Sequence, residues 1–249
     1  MPRGRPLYIG LAIACVIAGF FMAGYWVSRS ESMPDFAAIH NFQRRQQVFI
    51  AFLLPKLQQA DRLLLWQRRN IQQMHDYWLR NHYLGNSARQ WIIHIAKRYK
   101  VPVAIDNMSF WSMLLSRVDI IPAGLALAQA ANESAWGMSR FAQQGNNLFG
   151  QWCYQAGCGL VPTGRPAGAT YEVKKFHSTY DAVLAYLYNL NTNAAYSHLR
   201  QIRQQLREKG LPLSSVQLAA GLDRYSQKGK VYAALIQSII VQYHLKQYD

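Results

Sequence analysis

The most conspicuous pattern in the chain is a run of 21 uncharged, mostly apolar positions from Leu7 to Val27. As an α-helix, such a run is long enough to cross the roughly 30 Å hydrocarbon core of a bilayer. Arg3 and Arg5 precede the run, which favours a cytoplasmic N-terminus. A cleaved signal peptide is the alternative, but its apolar region is usually shorter. We therefore expect a transmembrane signal-anchor over residues 1–30, with the rest of the chain exported.

Helical periodicity dominates residues 31–85, where helix-breaking residues are almost absent. Apolar side chains recur at three- and four-residue spacings from Phe36 to Trp78, and Gln and Arg fill many of the positions between them. Pro55 marks either a kink or a helix start. The segment is predicted to be a helical stalk or hairpin with a solvated polar face.

The pattern over residues 86–249 indicates one further domain. Ser87 and Gln90 have the spacing of a capping box at a helix start, and Ser178 and Asp181 show a similar arrangement. Further helices are predicted at about 108–117, 122–136, 197–208, 214–221 and 228–246.

The amino-acid composition changes between residues 143 and 171, where six Gly and two Pro are interspersed with Cys, Trp and Tyr. Such composition is typical of loops and short strands. Residues 170–176 are the best strand candidate. The fold class predicted for the chain is α+β and mainly α.

The formal net charge is +15, from 27 Lys and Arg against 12 Asp and Glu. This balance indicates an anionic partner: nucleic acid, lipid headgroups or an acidic cell-wall polymer. The positive charges are spread along the chain without a compact basic run, so a nucleic acid is the least favoured of the three. No phosphate-binding, dinucleotide-binding or zinc-protease motif is present. We expect no cofactor and no metal, and no protein partner can be inferred.

Cys153 and Cys158 lie in a Gly-rich stretch, WCYQAGCG. A C-x4-C pair without further cysteine or histidine ligands is a poor zinc site. In an exported protein a disulfide that closes a short loop is favoured, and two unpaired thiols are the alternative. Cys15 falls within the predicted membrane span.

Glu133 is the one charged residue between Ile120 and Ser139. It lies near the C-terminal end of a predicted helix that otherwise contains Ala, Leu, Gln and Asn. Apolar surroundings and the negative end of the helix dipole both favour a protonated carboxyl group. A glycosidase needs this form to donate a proton to a leaving oxygen. An exposed Glu at a helix end is the alternative interpretation.

The run LALAQAANESAWGMSRFAQQGNNLFG, residues 125–150, carries a recognisable order of short motifs. It contains Ala-Gln-Ala, Glu-Ser, Trp-Gly and Asn-Leu-Phe-Gly, and the stretch KFHSTYDAVLAYLYNLNTNAAY follows downstream. This order resembles the bacterial endo-β-N-acetylglucosaminidase family, to which flagellar rod hydrolases and autolysins belong. The resemblance covers roughly residues 88–246 and is closest to the Bax-like bacterial proteins.

The resemblance implies a lysozyme-like fold, with a helical lobe and a small β lobe beside a sugar-binding cleft. It also implies hydrolysis of the β-1,4 bond after N-acetylglucosamine in peptidoglycan. The family's catalytic acid falls on Glu133. Glu172 is the candidate for a second acid, and Asp181 is the fallback. The family's cleft tyrosine falls on Tyr196, which could also be a packing residue.

Several residues near these motifs are candidates for binding the glycan. Ser134 follows the catalytic acid, and Asn147 either binds an acetamido group or holds its turn. Aromatic side chains could stack on sugar rings or belong to the core, and these are Trp136, Phe149, Trp152, Tyr154 and Tyr180. His177 and His198 lack ligand-spaced partners and are interpreted as non-functional.

The sequence therefore predicts a peptidoglycan glycosidase anchored in the inner membrane by residues 7–27, with its domain in the periplasm. A lytic transglycosylase is the nearest alternative enzyme, although the Gly-Leu-Met-Gln element typical of that class is absent after Glu-Ser. A wall-binding tether that has lost turnover is the non-enzymatic alternative. The choice between inverting, retaining and substrate-assisted routes depends on the separation of carboxylates in space.

Overall fold

The structure is a computed structural model that describes residues 32–227 and 229–249. Within these ranges, none of the helices combines the length and the apolar character needed to cross a membrane. The predicted signal-anchor at residues 1–30, with Cys15, lies outside the described residues. The predicted α+β, mainly helical class is confirmed for the part that the structure describes.

The described part of the predicted stalk or hairpin (residues 31–85), which starts at residue 32, contains one continuous helix, α1, Phe42–Asn81. At 1.5 Å per residue its 40 residues extend about 60 Å. The side chain of Asn41 caps its start by accepting a hydrogen bond from the backbone N–H of Arg44. The helix continues through Pro55, so the prediction of a helix start at this residue is wrong. Its apolar stripe, which includes Phe49, Leu57 and Ile71, is buried in the common core.

Apart from α5, the remaining helices lie close to the predicted positions. They are α2 Asn86–Arg98, α3 Met108–Arg117, α4 Ala123–Ser134, α5 Arg140–Gly145, α6 Thr179–Thr192, α7 Ser197–Glu208, α8 Ser215–Ala219 and α9 Lys230–Gln242. In the part of the chain that the structure describes, three short 3-10 turns lie at Ala194–Tyr196, Ala220–Leu222 and Leu245–Tyr248.

The two predicted capping boxes have different outcomes. Ser178 does cap α6, because its hydroxyl accepts a hydrogen bond from the N–H of Asp181 and donates one to that residue's carboxylate. Ser87 does not cap α2, since the helix begins one residue earlier and Gly85 occupies the cap position without a side-chain bond. Helix α5, which the periodicity did not indicate, is capped by Ser139.

A small antiparallel sheet interrupts the helices. It consists of β1 Trp152–Cys153, β2 Gly159–Leu160 and β3 Glu172–Lys174, with β3 in the centre. Trp152 pairs with Val173 on one side and Leu160 pairs with Val173 on the other. The predicted disulfide between Cys153 and Cys158 is confirmed and closes the loop between β1 and β2.

Helix α4 runs through the centre of the helical lobe. All its residues from Ala123 to Ala131 are buried, which is possible because most are Ala, Gly or Leu. Gly124 shows how close the neighbours come, since an added Cβ would lie 2.6 Å from the carbonyl oxygen of Leu245. Small side chains therefore let the C-terminal turn and α9 approach the helix backbone.

The loop that leads into α4 is held by a buried carboxylate, that of Asp119. Arg207 donates two hydrogen bonds to it, at 3.0 and 2.8 Å, and Arg68 from α1 lies 3.4 Å away. Arg203 donates to the backbone carbonyls of Ser116 and Ile120 around the same loop. Burial opposes the charge of Asp119, but the hydrogen bond from Arg207 and the three guanidinium groups hold its pKa below the usual value.

Asp61 on α1 lies close to this cluster and behaves in the opposite way. Burial, followed by the negative charge of Asp119, raises the pKa of Asp61 to about 7. A carboxyl group whose pKa is higher in the folded than in the unfolded state binds more protons when folded. Its contribution to stability is therefore present below about pH 4 and is lost as the pH rises through about 7.

We predict that Asp61→Asn removes part of the stability loss that the wild type shows as the pH rises. The free energy of unfolding of the variant should exceed that of the wild type at pH 8 by an amount on the order of 2 kcal/mol, and the two should converge near pH 4. Urea denaturation at both pH values measures the difference. Asp106→Asn, at an exposed acid, is the matched control and should follow the wild type. An unchanged pH dependence in Asp61→Asn would contradict the prediction.

Candidate active site

A cleft of about 800 Å³ lies between the end of α4, the turn at residues 149–152, one face of α6 and the segment that contains the start of α9. This volume falls in the range typical of ligand sites. Its lining combines aromatic and amide side chains with Glu133. The aromatic residues of the lining are Phe149, Trp152, Tyr154, Tyr188, Tyr196, Tyr225 and Tyr232.

Glu133 lies in the last turn of α4, where Ala135 ends the helix in the left-handed conformation. The carboxylate oxygen Oε1 accepts a hydrogen bond of 2.7 Å from the hydroxyl of Tyr232 and one of 3.2 Å from the amide of Asn132. Among the described residues that line the cleft, Glu133 is the one acid. The structure therefore places the predicted catalytic residue where a bound molecule could reach it.

The second carboxylate oxygen, Oε2, faces Gly150. A Cβ added at Gly150 would lie 3.4 Å from it, and the backbone there has φ of +63°. The positive φ favours glycine at this position, whereas the added Cβ would be in ordinary van der Waals contact with the carboxylate. The end of the Asn-Leu-Phe-Gly motif thus passes directly beside the carboxylate of Glu133.

A chain of buried polar side chains lies behind Glu133. Gln129, one helical turn earlier, donates a 3.1 Å hydrogen bond to the hydroxyl of Tyr232 and accepts one of 2.7 Å from the hydroxyl of Tyr186. Burial raises the pKa of Tyr232 and of Tyr186 above the usual value, and the charge of Glu133 contributes to both increases. These phenols therefore keep their protons and act as hydrogen-bond donors.

Tyr196 lines the cleft, as the family pattern implied. It lies in the 3-10 turn that follows α6, and its ring is 5.8 Å from that of Tyr225. Burial is the main cause that raises its pKa, and the charge of Glu133 adds to the increase. Tyr196 therefore lines the same cleft as Glu133, although its side chain is mostly buried.

Two side chains that were expected to bind substrate form hydrogen bonds with backbone groups of the protein instead. Ser134 is fully buried; its hydroxyl donates to the carbonyl of Ala130 and accepts from the N–H of Gly137. Asn147 is also buried, and its amide donates to the carbonyls of Gln151 and Lys174. Neither is among the described residues that line the cleft, so both positions support a structural role in shaping it.

Glu172, the candidate second acid, is placed on β3 and is likewise not among the cleft-lining residues described. Its carboxylate accepts hydrogen bonds from the backbone N–H groups of Gly157 and Gly159, at 3.0 and 2.7 Å. These two bonds lower the pKa of Glu172. The carboxylate therefore stays ionised and holds the loop that the disulfide closes.

The sulfurs of Cys153 and Cys158 lie close to the Glu172 carboxylate, in an arrangement with the ligand types of a metal site. The two sulfurs are bonded to each other, so neither is available as a thiolate ligand. Asp181, the fallback acid, belongs to the cap of α6, where Ser178 binds its carboxylate.

The aromatic candidates divide between cleft and core. Trp152 is 49% exposed and packs against Tyr171, and Tyr154 is 74% exposed. Phe149 and Tyr180 are buried, and Phe149 stacks on Tyr186 with ring centroids 4.1 Å apart. Trp136 packs edge-on against rings of α1 and Tyr243. His177 and His198 are not among the described lining residues.

Sequence reasoning missed several residues of the site, above all Tyr225 and Tyr232. Tyr232 falls in the first turn of a helix that periodicity did predict, but it lies about 100 positions after Glu133. Tyr225 donates a 2.9 Å hydrogen bond to the carbonyl of Phe149 and stacks on Tyr232 with centroids 5.1 Å apart. No local spacing links these positions to Glu133, so only the folded chain brings them together.

Similarity to known proteins extends over most of the chain. The family model described as mannosyl-glycoprotein endo-beta-N-acetylglucosaminidase matches residues 111–245. The chain is similar to Protein bax of Escherichia coli (strain K12), with 32% identity over 209 residues. That alignment covers 82% of this chain and 72% of the relative. No solved structure gives a significant match.

Proposed function

The chain belongs to the mannosyl-glycoprotein endo-beta-N-acetylglucosaminidase family, and on that premise we propose that it hydrolyses the β-1,4 bond after N-acetylglucosamine in peptidoglycan. The motif resemblance supports this substrate. The net charge of +15 supports it too, because acidic cell-wall polymers attract a basic protein.

The observation that carries the proposal is the placement of Glu133. It is the one acid among the described residues of the cleft lining, and Tyr232 and Asn132 hold its Oε1. In the proposed reaction Glu133 gives its proton to the glycosidic oxygen as the bond from that oxygen to the sugar carbon C1 breaks. The hydrogen bonds to Oε1 then stabilise the carboxylate that is left.

On the opposite face of the sugar, we propose that the substrate's own acetamido oxygen forms the new bond to C1. The support is that Glu172 directs its carboxylate to Gly157 and Gly159 rather than into the cleft. Water then attacks C1, the acetamido group is released, and the proton from that water returns to Glu133. A retaining outcome follows, because two displacements occur at the same carbon.

We propose that the exposed aromatic side chains at β1 and just after it, on what we call the β side of the cleft, bind the glycan. Trp152 and Tyr154 line the cleft with large exposed ring areas. Aromatic faces of this kind pack against the apolar faces of sugar rings. The amides of Asn132, Asn189 and Asn193 supply hydrogen-bonding groups along the same cleft.

We also propose that the domain works in the periplasm, attached to the inner membrane by residues 7–27. The apolar run and the arginines before it support this topology. The disulfide between Cys153 and Cys158 supports an oxidising compartment.

The first prediction of this proposal concerns the catalytic acid. Glu133→Gln keeps the size of the side chain but cannot give up a proton to the glycosidic oxygen. We expect hydrolysis of purified peptidoglycan to fall by at least about two orders of magnitude, since general acid catalysis typically contributes ~10²–10⁴-fold. Release of soluble fragments, followed by mass spectrometry, measures the loss.

Glu208→Gln, at an exposed acid on α7, is the matched control and should digest at the wild-type rate. Near wild-type activity in Glu133→Gln would overturn the assignment of the acid. Wild-type products with 1,6-anhydro ends would contradict hydrolysis and identify a lytic transglycosylase. Binding of wild-type protein to the wall without any cleavage would identify a tether.

The second prediction separates the substrate-assisted route from one with two carboxylates. Glu172→Gln keeps one acceptor oxygen and replaces the other with an NH2 group, so one of the two N–H groups of Gly157 and Gly159 loses its acceptor and the loop beside Trp152 should loosen. We expect a lower Tm and a higher KM, with kcat reduced less than about tenfold. A loss of kcat comparable to that of Glu133→Gln would instead make Glu172 a second catalytic acid.

The third prediction concerns topology. Protease added to spheroplasts should degrade the domain, because the proposed anchor leaves residues 31–249 outside the cytoplasm. A cytoplasmic marker protein provides the control for intact spheroplasts. Protection of the domain under conditions that preserve the marker would contradict the proposed location.

A further inference from the structure

The side chain of Gln129 is fully buried, is linked to the carboxylate of Glu133 through the hydroxyl of Tyr232, and has no role in the reaction described above. It lies four positions before Glu133 on α4, and residues at this spacing lie on the same helix face. Its amide is held between two tyrosine hydroxyls, that of Tyr186 from α6 and that of Tyr232 from α9.

The direction of each hydrogen bond in this chain follows from the groups available. Tyr186 donates its one proton to Oε1 of Gln129, which turns the amide nitrogen toward Tyr232. That nitrogen can only donate, so the hydroxyl oxygen of Tyr232 accepts from it. The single proton of Tyr232 is then left for Oε1 of Glu133, at 2.7 Å.

We propose that Gln129 is a positioning residue that directs the Tyr232 proton onto Oε1 of Glu133 and so selects Oε2 as the oxygen that carries the transferable proton. Oε1 already accepts from Tyr232 and Asn132, whereas Oε2 faces Gly150, where the absence of a side chain leaves room. If the amide of Gln129 were turned over, the Tyr232 proton would be drawn away from Glu133.

The inference rests on the proposed function for its catalytic consequence, because Tyr232 would stabilise the negative charge that develops on Glu133 during proton transfer. The arrangement of donors itself is independent of any substrate. The test therefore includes one measurement on the carboxyl group without substrate and one on turnover.

The variant that removes the amide is Gln129→Met, which keeps the side-chain length in an apolar site. In full-length protein with ¹³C at glutamate carboxyl carbons, the Glu133 resonance is assigned by its absence from Glu133→Gln. We expect Gln129→Met and Tyr232→Phe to move this resonance in the same direction. The double variant should move it no further than Tyr232→Phe alone, because Gln129 acts through that hydroxyl.

On peptidoglycan fragments, Tyr232→Phe should lower kcat about tenfold, the typical effect of losing a hydrogen bond to a charged group. Gln129→Met should lower kcat as well, with KM changed less than about twofold, and should have no further effect in the Tyr232→Phe background. If Gln129→Met does not fold, Tyr186→Phe removes the hydroxyl that orients the amide and should give the same pattern.

Tyr99→Phe is the matched control, because Tyr99 is also buried and donates to a buried glutamine, Gln67, at 2.9 Å. Tyr99 is not among the described residues that line the cleft. The control variant should leave the Glu133 resonance and kcat unchanged. The inference would be overturned if the effects of Gln129→Met and Tyr232→Phe on kcat were additive. It would also be overturned if the Glu133 resonance did not move in Gln129→Met. A protein that shows the resonance coupling but cleaves no peptidoglycan would retain the inference about Glu133 and lose the proposed substrate.

Discussion

The arrangement of the helical lobe depends on the contacts that several elements make with the buried carboxylate of Asp119. Arg68 approaches it from α1, and Arg203 and Arg207 approach from α7. Asn191 on α6 donates to the carbonyl of the same residue. Burial lowers the pKa of Arg203 to about 10, so it remains charged at neutral pH.

A buried ion pair of this kind often adds little net stability, because desolvation of the charges offsets their attraction. Its geometry is nevertheless demanding, since a charge left without its partner in the interior is costly. The cluster therefore specifies how α1 and α7 meet the loop between α3 and α4. Because α4 starts directly after this loop, the same contacts set the position of Glu133 at the other end of the helix.

The cleft lies between two independently restrained parts of the molecule. On the helical side, small residues on α4 let its neighbours approach, and the tyrosines of α6 and α9 reach Gln129 and Glu133. On the β side, the disulfide and the carboxylate of Glu172 hold the loop beside Trp152. Asn147 adds two hydrogen bonds that tie the turn at residue 151 to β3.

The sequence by itself predicted most of the helices, the class of fold and the family, and it favoured the disulfide, because these depend on local spacing and on short motifs. It also placed Glu133, which stands out as one acid in an apolar helix. It could not determine that residues 42–81 form one helix packed on the core, or that Gly85 rather than Ser87 precedes α2. Only the tertiary structure showed where polar side chains point: Glu172, Ser134 and Asn147 toward backbone groups, and Tyr232 toward Glu133. Hydrogen-bond partners of this kind come from positions up to about 100 residues apart, and their pairing depends on how helices pack rather than on any pattern along the chain.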